Sequence, residues 1–133
     1  MRDPADMRFT EAHEWVYVKG TTILVGLTEF AQQRLSDITH VEMPEPDDQH
    51  YEAREEVGVL ESLQSSKDLH APVSGRIVAI NNELLAKPEL VNMDPYGQGW
   101  LFEMKPDRMS DVEALMDLDE YEAGLPEDED EEE

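Results

Sequence analysis

The chain has 133 residues, and it contains no cysteine, no long apolar run and few basic residues, with 10 Lys and Arg against 33 Asp and Glu. Without cysteine no disulfide and no paired Cys-x-x-Cys site can form. No segment approaches the length of a membrane span, and the first 15 residues carry charges where a signal peptide needs an apolar core. We therefore expect a soluble, intracellular protein.

The formal net charge of −23 is the strongest feature of the composition. Thirteen of the acidic residues lie from Asp111 onward, where there is no Lys or Arg, and the chain before Asp111 still carries −10. A field of this sign repels phosphate backbones and anionic lipid, so it disfavours nucleic acids and membranes as partners. It is compatible with basic protein partners, or with simple solubility.

Hydrophobic residues recur mostly with a period of two. Glu14–Val18 and Thr22–Leu27 flank a short loop with a glycine, which predicts an antiparallel hairpin. Thr28 is a favoured N-cap for a short helix over Glu29–Leu35. Ile38–Met43 then predicts a further strand, which ends at the prolines that follow.

More strands are predicted downstream of an acidic stretch over residues 45–56, which has the composition of a solvent loop. Many short strands separated by turns favour a sandwich or barrel within one domain, a mostly β (α+β) plan. These later strands are Val57–Glu61, a strand between the tight turn that follows it and the turn at Pro72–Gly75, then Arg76–Ile80 and Trp100–Lys105.

The end of the chain is predicted to be helical. Ser110–Glu113 has the pattern of a capping box, and a last helical turn is expected over Asp119–Gly124. The final residues, 125–133, are almost entirely acidic and cannot bury apolar surface, which predicts a disordered tail. We therefore expect one domain over residues 1–124 and an acidic tail over 125–133.

The sequence contains no motif of a known catalytic centre. It has no Gly-x-Ser-x-Gly, phosphate-binding loop or His-Glu-x-x-His, and Gly97-Gln98-Gly99 lacks the third glycine of a dinucleotide site. The histidines at positions 13, 40, 50 and 70 show no ligand spacing, so no metal site is predicted. Acidic residues are so abundant that spacing alone selects no acid–base pair.

A series of blocks in the chain resembles the glycine cleavage system H-protein family, in the order found in that family. The resemblance covers nearly the whole chain before the acidic tail. The blocks are HEWV (residues 13–16), VGLTEFAQ (25–32), VEMP (41–44), GVLES (58–62), DLHAPVSG (68–75) and PELVNMDPYGQGW (88–100).

The resemblance implies a fold, a cofactor and a set of partners. The fold is a flattened barrel-sandwich hybrid of two antiparallel sheets, of the lipoyl/biotinyl type, with a C-terminal helix. The implied role is non-enzymatic: a lipoyl arm carries the aminomethyl group from glycine decarboxylase to aminomethyltransferase, because a tethered arm makes transfer quasi-intramolecular. Dihydrolipoamide dehydrogenase and a lipoate ligase or synthase are further implied partners, and the protein is expected to be a monomer in the cytoplasm, or in the mitochondrial matrix of a eukaryote.

The chain departs from the family at the position that should carry the arm. The family motif is approximately ESVKAxSD, whereas Glu61–Asp68 reads ESLQSSKD, which places Gln64 at the lipoyl-lysine position. Glu61 anchors this alignment on one side and Asp68 on the other. A glutamine amide has no basic amine to acylate, so the resemblance predicts an arm that is absent or displaced.

Lys67 is the alternative attachment residue, and its suitability depends on the hairpin register. If Leu63 and Gln64 form the turn, Lys67 pairs with Leu60 and lies about 10 Å from the tip, at about 3.3 Å per residue. If Ser65 and Ser66 form the turn, Gln64 and Lys67 become cross-strand neighbours. We favour the first register, in which Lys67 is a solvated strand residue beside Asp68.

The resemblance also implies a cleft that shelters the loaded arm and holds its ammonium group. The matching positions are Glu14 and Asp68, while Ala12 stands where a serine hydroxyl is common. Two carboxylates can bind an ammonium by charge-assisted hydrogen bonds, although both also fit a role as surface acids at strand ends.

Three interpretations of Gln64 remain open from the sequence. The chain is a docking, regulatory or divergent homologue without the arm, a carrier with its arm on Lys67, or a form in which a natural lysine was replaced. The third is disfavoured, because neighbouring residues also differ from the motif and a single deliberate change would leave them alone.

Overall fold

The structure is a computed structural model that describes residues 2–43 and 49–125. Over these residues the chain forms two antiparallel sheets joined by short helices, which confirms the mostly β fold class expected from the sequence. The strands are β1 (Arg8–Phe9), β2 (Glu14–Lys19), β3 (Thr22–Leu27), β4 (Ile38–Glu42), β5 (His50–Tyr51), β6 (Glu56–Ser62), β7 (Ser66–His70), β8 (Gly75–Ile80) and β9 (Phe102–Pro106).

Within the described residues, the larger sheet has the order β1-β2-β3-β9-β8-β5 and the smaller one the order β4-β6-β7. The hairpin predicted from residues 14–27 is confirmed, and its last pair is Lys19 with Thr22. The two-residue turn between them requires a positive φ, which Gly20 adopts at 64°. Leu60 and Leu69 from the smaller sheet join Val25, Ile77 and Met104 from the larger one in a single buried core.

The short helices are α1 (Glu29–Leu35), α2 (Glu83–Ala86), α3 (Leu90–Met93), α4 (Met109–Glu113) and α5 (Leu118–Ala123). The prediction of α1 is confirmed, including its cap, because the Thr28 side chain accepts the N–H of Ala31. The capping box predicted at Ser110 is wrong, since α4 begins one residue earlier and Ser110 lies inside it. The capping box found in the structure is formed by Asp117 and Glu120 at the start of α5.

The acidic segment before β6 is more ordered than its composition predicts. His50 and Tyr51 form a strand that pairs with Arg76 and Gly75 of β8, and Tyr51 is buried. The prediction of a solvent loop is therefore wrong at these two residues, because the apolar face of one tyrosine completes the sheet edge. Residues 44–48 of that loop and residues 126–133 of the predicted acidic tail lie outside the described residues.

A second buried cluster lies beneath the two ends of the chain. It contains Met7, Phe9, Trp15, Leu24 and Tyr121, so it joins the first three strands to α5. Phe9 stacks on Tyr121 with ring centroids 4.8 Å apart. This packing fixes the C-terminal segment over the larger sheet, where it forms one wall of the site described below. No helix within residues 2–43 and 49–125 is long and apolar enough to cross a membrane.

Candidate functional site

The β6–β7 hairpin presents Leu63 and Gln64 at its tip. Glu61 pairs with Ser66 and Leu60 with Lys67, and the N–H of Ser62 donates to the carbonyl oxygen of Ser65 at 2.8 Å. This confirms the register that we favour from the sequence. The alternative turn at residues 65 and 66 is wrong, so Gln64 and Lys67 are not cross-strand neighbours.

The turn is held by one serine hydroxyl and leaves its tip in solvent. The Ser62 hydroxyl oxygen accepts the N–H of Gln64 at 3.3 Å and that of Ser65 at 3.1 Å. Leu63 is 78% exposed, and the side chain of Gln64 is also exposed. Leu63 and Gln64 are therefore the residues that this hairpin presents to solvent.

Lys67 faces inward, on the same side of β7 as the fully buried Leu69. Strand residues two apart share a face, and the cross-strand partner of Lys67, Leu60, is also fully buried. Burial lowers the pKa of the Lys67 ammonium, and the negative charges of Glu14 and Asp68 oppose that change. The interpretation of Lys67 as a solvated surface lysine is therefore wrong: it is half-buried near a buried carboxylate.

Glu14 is that carboxylate, and it is only 1% exposed. It accepts the backbone N–H of His70 at 2.9 Å and the hydroxyl of Thr10 at 3.2 Å, so it joins β2 to the end of β7. Burial raises the pKa of Glu14, an effect that these hydrogen bonds and the charge of Lys67 partly counter. The interpretation of Glu14 as a surface acid is therefore wrong.

The loop before β2 turns Glu14 into this position. Thr10 and Glu14 close the loop through the N–H of Thr10, which donates to the Glu14 carbonyl oxygen at 3.0 Å. His13 adopts a left-handed backbone with φ of 69°, a conformation that few residues other than glycine take, and so reverses the chain just before the strand. The His13 ring then lies 2.8 Å from the hydroxyl of Tyr121, measured from Nδ1, which ties this loop to α5.

Glu14 lies in a cleft of about 460 Å³ between this loop, the turn after β7 and the link between α4 and α5. A cavity of this volume is in the range of small-molecule sites. The Nδ1 atom of His70, also in the cleft lining, is 3.4 Å from the Glu14 carboxylate and has no hydrogen bond to any described residue. The other lining residues are Phe9, Thr10, Glu11, Ala12, Arg54, Ala71, Pro72, Ala114, Leu115 and Met116.

The structure brings only some of the predicted site residues together. Glu14 and Ala12 line the cleft, whereas Asp68 does not and lies exposed on the outer face of β7. Glu61 is exposed next to the tip. Within the described residues, the second carboxylate that lines this cleft is Glu11, at an exposed position. The pairing of Glu14 with Asp68 around an ammonium group stays a prediction.

Sequence reasoning missed Arg54 and His70 as cleft residues. His70 lies within the DLHAPVSG block, and its place at the end of β7 was the available signal. Arg54 lies in the stretch interpreted as a solvent loop, where nothing in the sequence indicates that the β5–β6 turn folds against the cleft. The described residues contain no group of three or more potential metal ligands.

Comparisons with known proteins agree on one family. A family model described as "Glycine cleavage H-protein" matches residues 7–128. A glycine cleavage system H protein of Acinetobacter baumannii is 45% identical over 125 residues, which cover 94% of this chain and all of that protein. One from Thermus thermophilus is 45% identical over 122 residues, covering 92% of this chain and 94% of that protein.

A solved structure extends the agreement to the fold. The crystal structure of a glycine cleavage system H protein from Mycobacterium marinum superimposes with a TM-score of 0.81 at 34% sequence identity, covering 92% of this chain and 100% of that one. Both the sequence and the two-sheet architecture thus match over nearly the full length of the relatives. The chain belongs to the glycine cleavage H-protein family, whose members are non-catalytic lipoyl carriers of the glycine cleavage system.

Proposed function

We propose that this chain is an H protein that docks to the enzymes of glycine cleavage without carrying a lipoyl arm. The observation that carries the proposal is the residue at the hairpin tip: Gln64 is exposed there and offers an amide in place of an amine. An amide nitrogen shares its lone pair with the carbonyl group, so it is neither basic nor a useful nucleophile toward an activated lipoate. The position that the family uses for attachment therefore lacks the reacting atom.

In this proposal the chain docks through the family fold and the exposed tip with Leu63. The family partners are glycine decarboxylase, aminomethyltransferase and dihydrolipoamide dehydrogenase. We propose that the chain binds one or more of these enzymes in the cytoplasm, as a regulator or a scaffold, or serves a related pathway. Residues 1–124 form the docking unit in this proposal.

A carrier with its arm on Lys67 is the second candidate, and one observation favours it. Burial lowers the pKa of Lys67, which leaves more of its amine unprotonated and nucleophilic than in an exposed lysine. Two observations oppose it: the side chain is half-buried, and it lies three residues from the tip on the inward face of β7. A ligase that modifies an exposed turn would have to open the hairpin to reach it.

Co-expression with a lipoate ligase separates the two candidates. The intact mass of the wild-type protein is compared with that of Lys67→Met, and the peptide that contains Lys67 is mapped. We expect both proteins to remain unmodified. A wild-type protein that gains one lipoyl group on Lys67, with no gain in Lys67→Met, would establish the carrier and refute the armless proposal.

Docking is tested separately from modification. The unmodified chain is titrated against purified glycine decarboxylase and aminomethyltransferase, with the lipoylated H protein of a relative as a competitor. We expect saturable binding to at least one enzyme that the competitor displaces. Absence of binding to both would contradict a docking role in glycine cleavage.

A further inference from the structure

The ammonium group of Lys67 lies against the protein core without a counter-ion. The side chain is half-buried, and it shares its face of the sheet with Leu60 across the ladder and Leu69 along the strand, both fully buried. Among the residues that the structure describes, none forms an ion pair or a side-chain hydrogen bond with the Lys67 nitrogen. A cation that is partly desolvated and unpaired is destabilised relative to the neutral amine.

The charges around Lys67 do not restore its ordinary protonation. Burial lowers the pKa of the Lys67 ammonium, and the negative charges of Glu14 on β2 and Asp68 on β7 only partly oppose this change. On the other side lies His13, whose own pKa is lowered by burial and then by the positive charges of Lys67 and Arg34. More of Lys67 is therefore a free, nucleophilic amine at neutral pH than of an exposed lysine.

The nitrogen of Lys67 is still within reach of solvent. Over the described residues, the one fully buried side-chain nitrogen or oxygen that lacks a hydrogen bond is Nδ1 of His70. The Lys67 nitrogen also lacks a hydrogen bond, so it must touch solvent. A small molecule can reach it without opening the hairpin, whereas an enzyme that docks on the tip finds it three residues away on the inward face.

We propose that Lys67 is a nucleophilic amine that captures small neutral aldehydes as imines. Its lone pair attacks the carbonyl carbon, a C–N bond forms, and the carbonyl oxygen leaves as water with the two protons of the amine, so no oxidant or reductant is needed. Half-burial limits the size of the aldehyde. The nearby charges of Glu14 and Asp68 disfavour anionic carbonyl compounds such as 2-oxo acids. The inference goes beyond the proposed function and depends on it in one respect, namely that the amine carries no lipoyl group.

Reductive trapping with propanal and cyanoborohydride tests the proposal. The chain has four lysines, of which Lys19, Lys87 and Lys105 are exposed and serve as internal references. Peptide mapping measures the rate at which each lysine gains a propyl group, and the terminal amine is counted separately. At neutral pH we expect Lys67 to react about tenfold faster than the exposed lysines. A rate equal to theirs, or slower, would overturn the proposal.

A pH series separates a desolvated amine from a merely accessible one. Above the ordinary lysine pKa of about 10.4 every lysine is a free amine, so the advantage of Lys67 should disappear and its half-burial should make it the slowest of the four. An advantage that persists unchanged at high pH would contradict the assignment.

The variant Gln64→Lys supplies a matched control within the same hairpin. It places an exposed amine at the tip, three residues from Lys67, and we expect residue 64 to react at the rate of Lys87. Trapping at residue 64 as fast as at Lys67 would show that the hairpin, not burial, sets the rate, and would overturn the proposal.

Replacement of propanal by glyoxylate tests the preference for a neutral substrate. Relative to Lys87, we expect Lys67 to lose most of its advantage with this anionic aldehyde, because Glu14 and Asp68 repel it. An equal advantage with both aldehydes would refute the proposed selectivity.

The outcome is independent of the test of the armless state. Trapping uses protein whose intact mass shows no lipoyl group, so it reports on Lys67 even if a ligase can modify that residue. Selective trapping together with lipoylation on co-expression would leave the reactive amine standing and refute only the armless function. Absence of selective trapping without lipoylation would refute only the reactive amine.

Discussion

Replacement of Glu14 by alanine tests whether its carboxylate joins β2 to the end of β7. The change leaves the partly buried N–H of His70 without its acceptor, which costs about 1–3 kcal/mol. Part of that cost is offset, because the variant no longer buries a carboxylate. We expect a net loss of about 1–2 kcal/mol in the free energy of unfolding, or about 4–8 °C in melting temperature for a chain of this size.

The glutamine variant separates the charge of Glu14 from its hydrogen bonds. Burial raises the pKa of Glu14, so the folded protein holds this proton more tightly than the unfolded chain does. The stability that this tighter proton binding contributes is fully present at pH values below the pKa of Glu14 in the unfolded chain. It is lost as the pH rises through the raised pKa of the folded protein. Glu14→Gln does not titrate, so we expect wild-type stability to fall relative to this variant as the pH rises above the ordinary glutamate pKa.

Urea unfolding followed by circular dichroism across a pH series measures both effects. Glu14→Ala should be the least stable protein at neutral pH, with Glu14→Gln within about 1 kcal/mol of the wild type, because glutamine keeps an acceptor oxygen. Two results would refute the reasoning. One is an alanine variant as stable as the wild type, and the other is a wild-type curve that runs parallel to that of Glu14→Gln at all pH values.

Three further substitutions address packing, the C-terminal helix and docking. Gly26→Ala should lower the free energy of unfolding by about 1–3 kcal/mol, because a Cβ at this position would clash with the indole of the buried Trp15; unchanged thermal unfolding would contradict that packing. Tyr121→Phe should lower the free energy of unfolding by about 1 kcal/mol, because it removes the hydroxyl that lies 2.8 Å from the buried Thr28 hydroxyl. A variant as stable as the wild type in chemical unfolding would argue against this hydrogen bond. Burial raises the pKa of Tyr121 to about 12, and it also raises the pKa of Tyr96. An ultraviolet titration should therefore show one late-ionising tyrosine fewer in this variant than in the wild type, and an equal number in both proteins would be the contrary result. Leu63→Asp should change stability by less than about 0.5 kcal/mol, because Leu63 is 78% exposed, yet weaken binding to the partner enzymes; intact docking would exclude the tip from that interface.

Local pattern was sufficient for the first hairpin and for α1. At Leu60 and Lys67 the residues left two turns open, and the resemblance to the family selected the register that the structure shows. Thr28 capped its helix as predicted for a local reason. The error at Ser110 was also local: a hydroxyl three residues before a glutamate fitted the capping pattern, but the helix began at Met109.

Contacts between residues far apart in the chain determine the burial of Glu14 and Lys67 and the position of Arg54, which the sequence could not indicate. Glu14 is buried because it binds the N–H of His70, 56 residues away along the chain, and no pattern around position 14 encodes that partner. The same holds for Arg54, which lies beside Ala71 through a backbone bond across the turn. The half-burial of Lys67 required both the register and the neighbouring core, so it became evident only in the folded chain.

The central claim is that the hairpin tip is correctly presented and lacks only an amine. The most direct test is lipoylation of Gln64→Lys beside the wild type, with each protein co-expressed with the same ligase and analysed by intact mass and peptide mapping. The account predicts one lipoyl group on residue 64 of the variant and none on the wild type. An unmodified variant, or a wild-type protein lipoylated on Lys67, would contradict it.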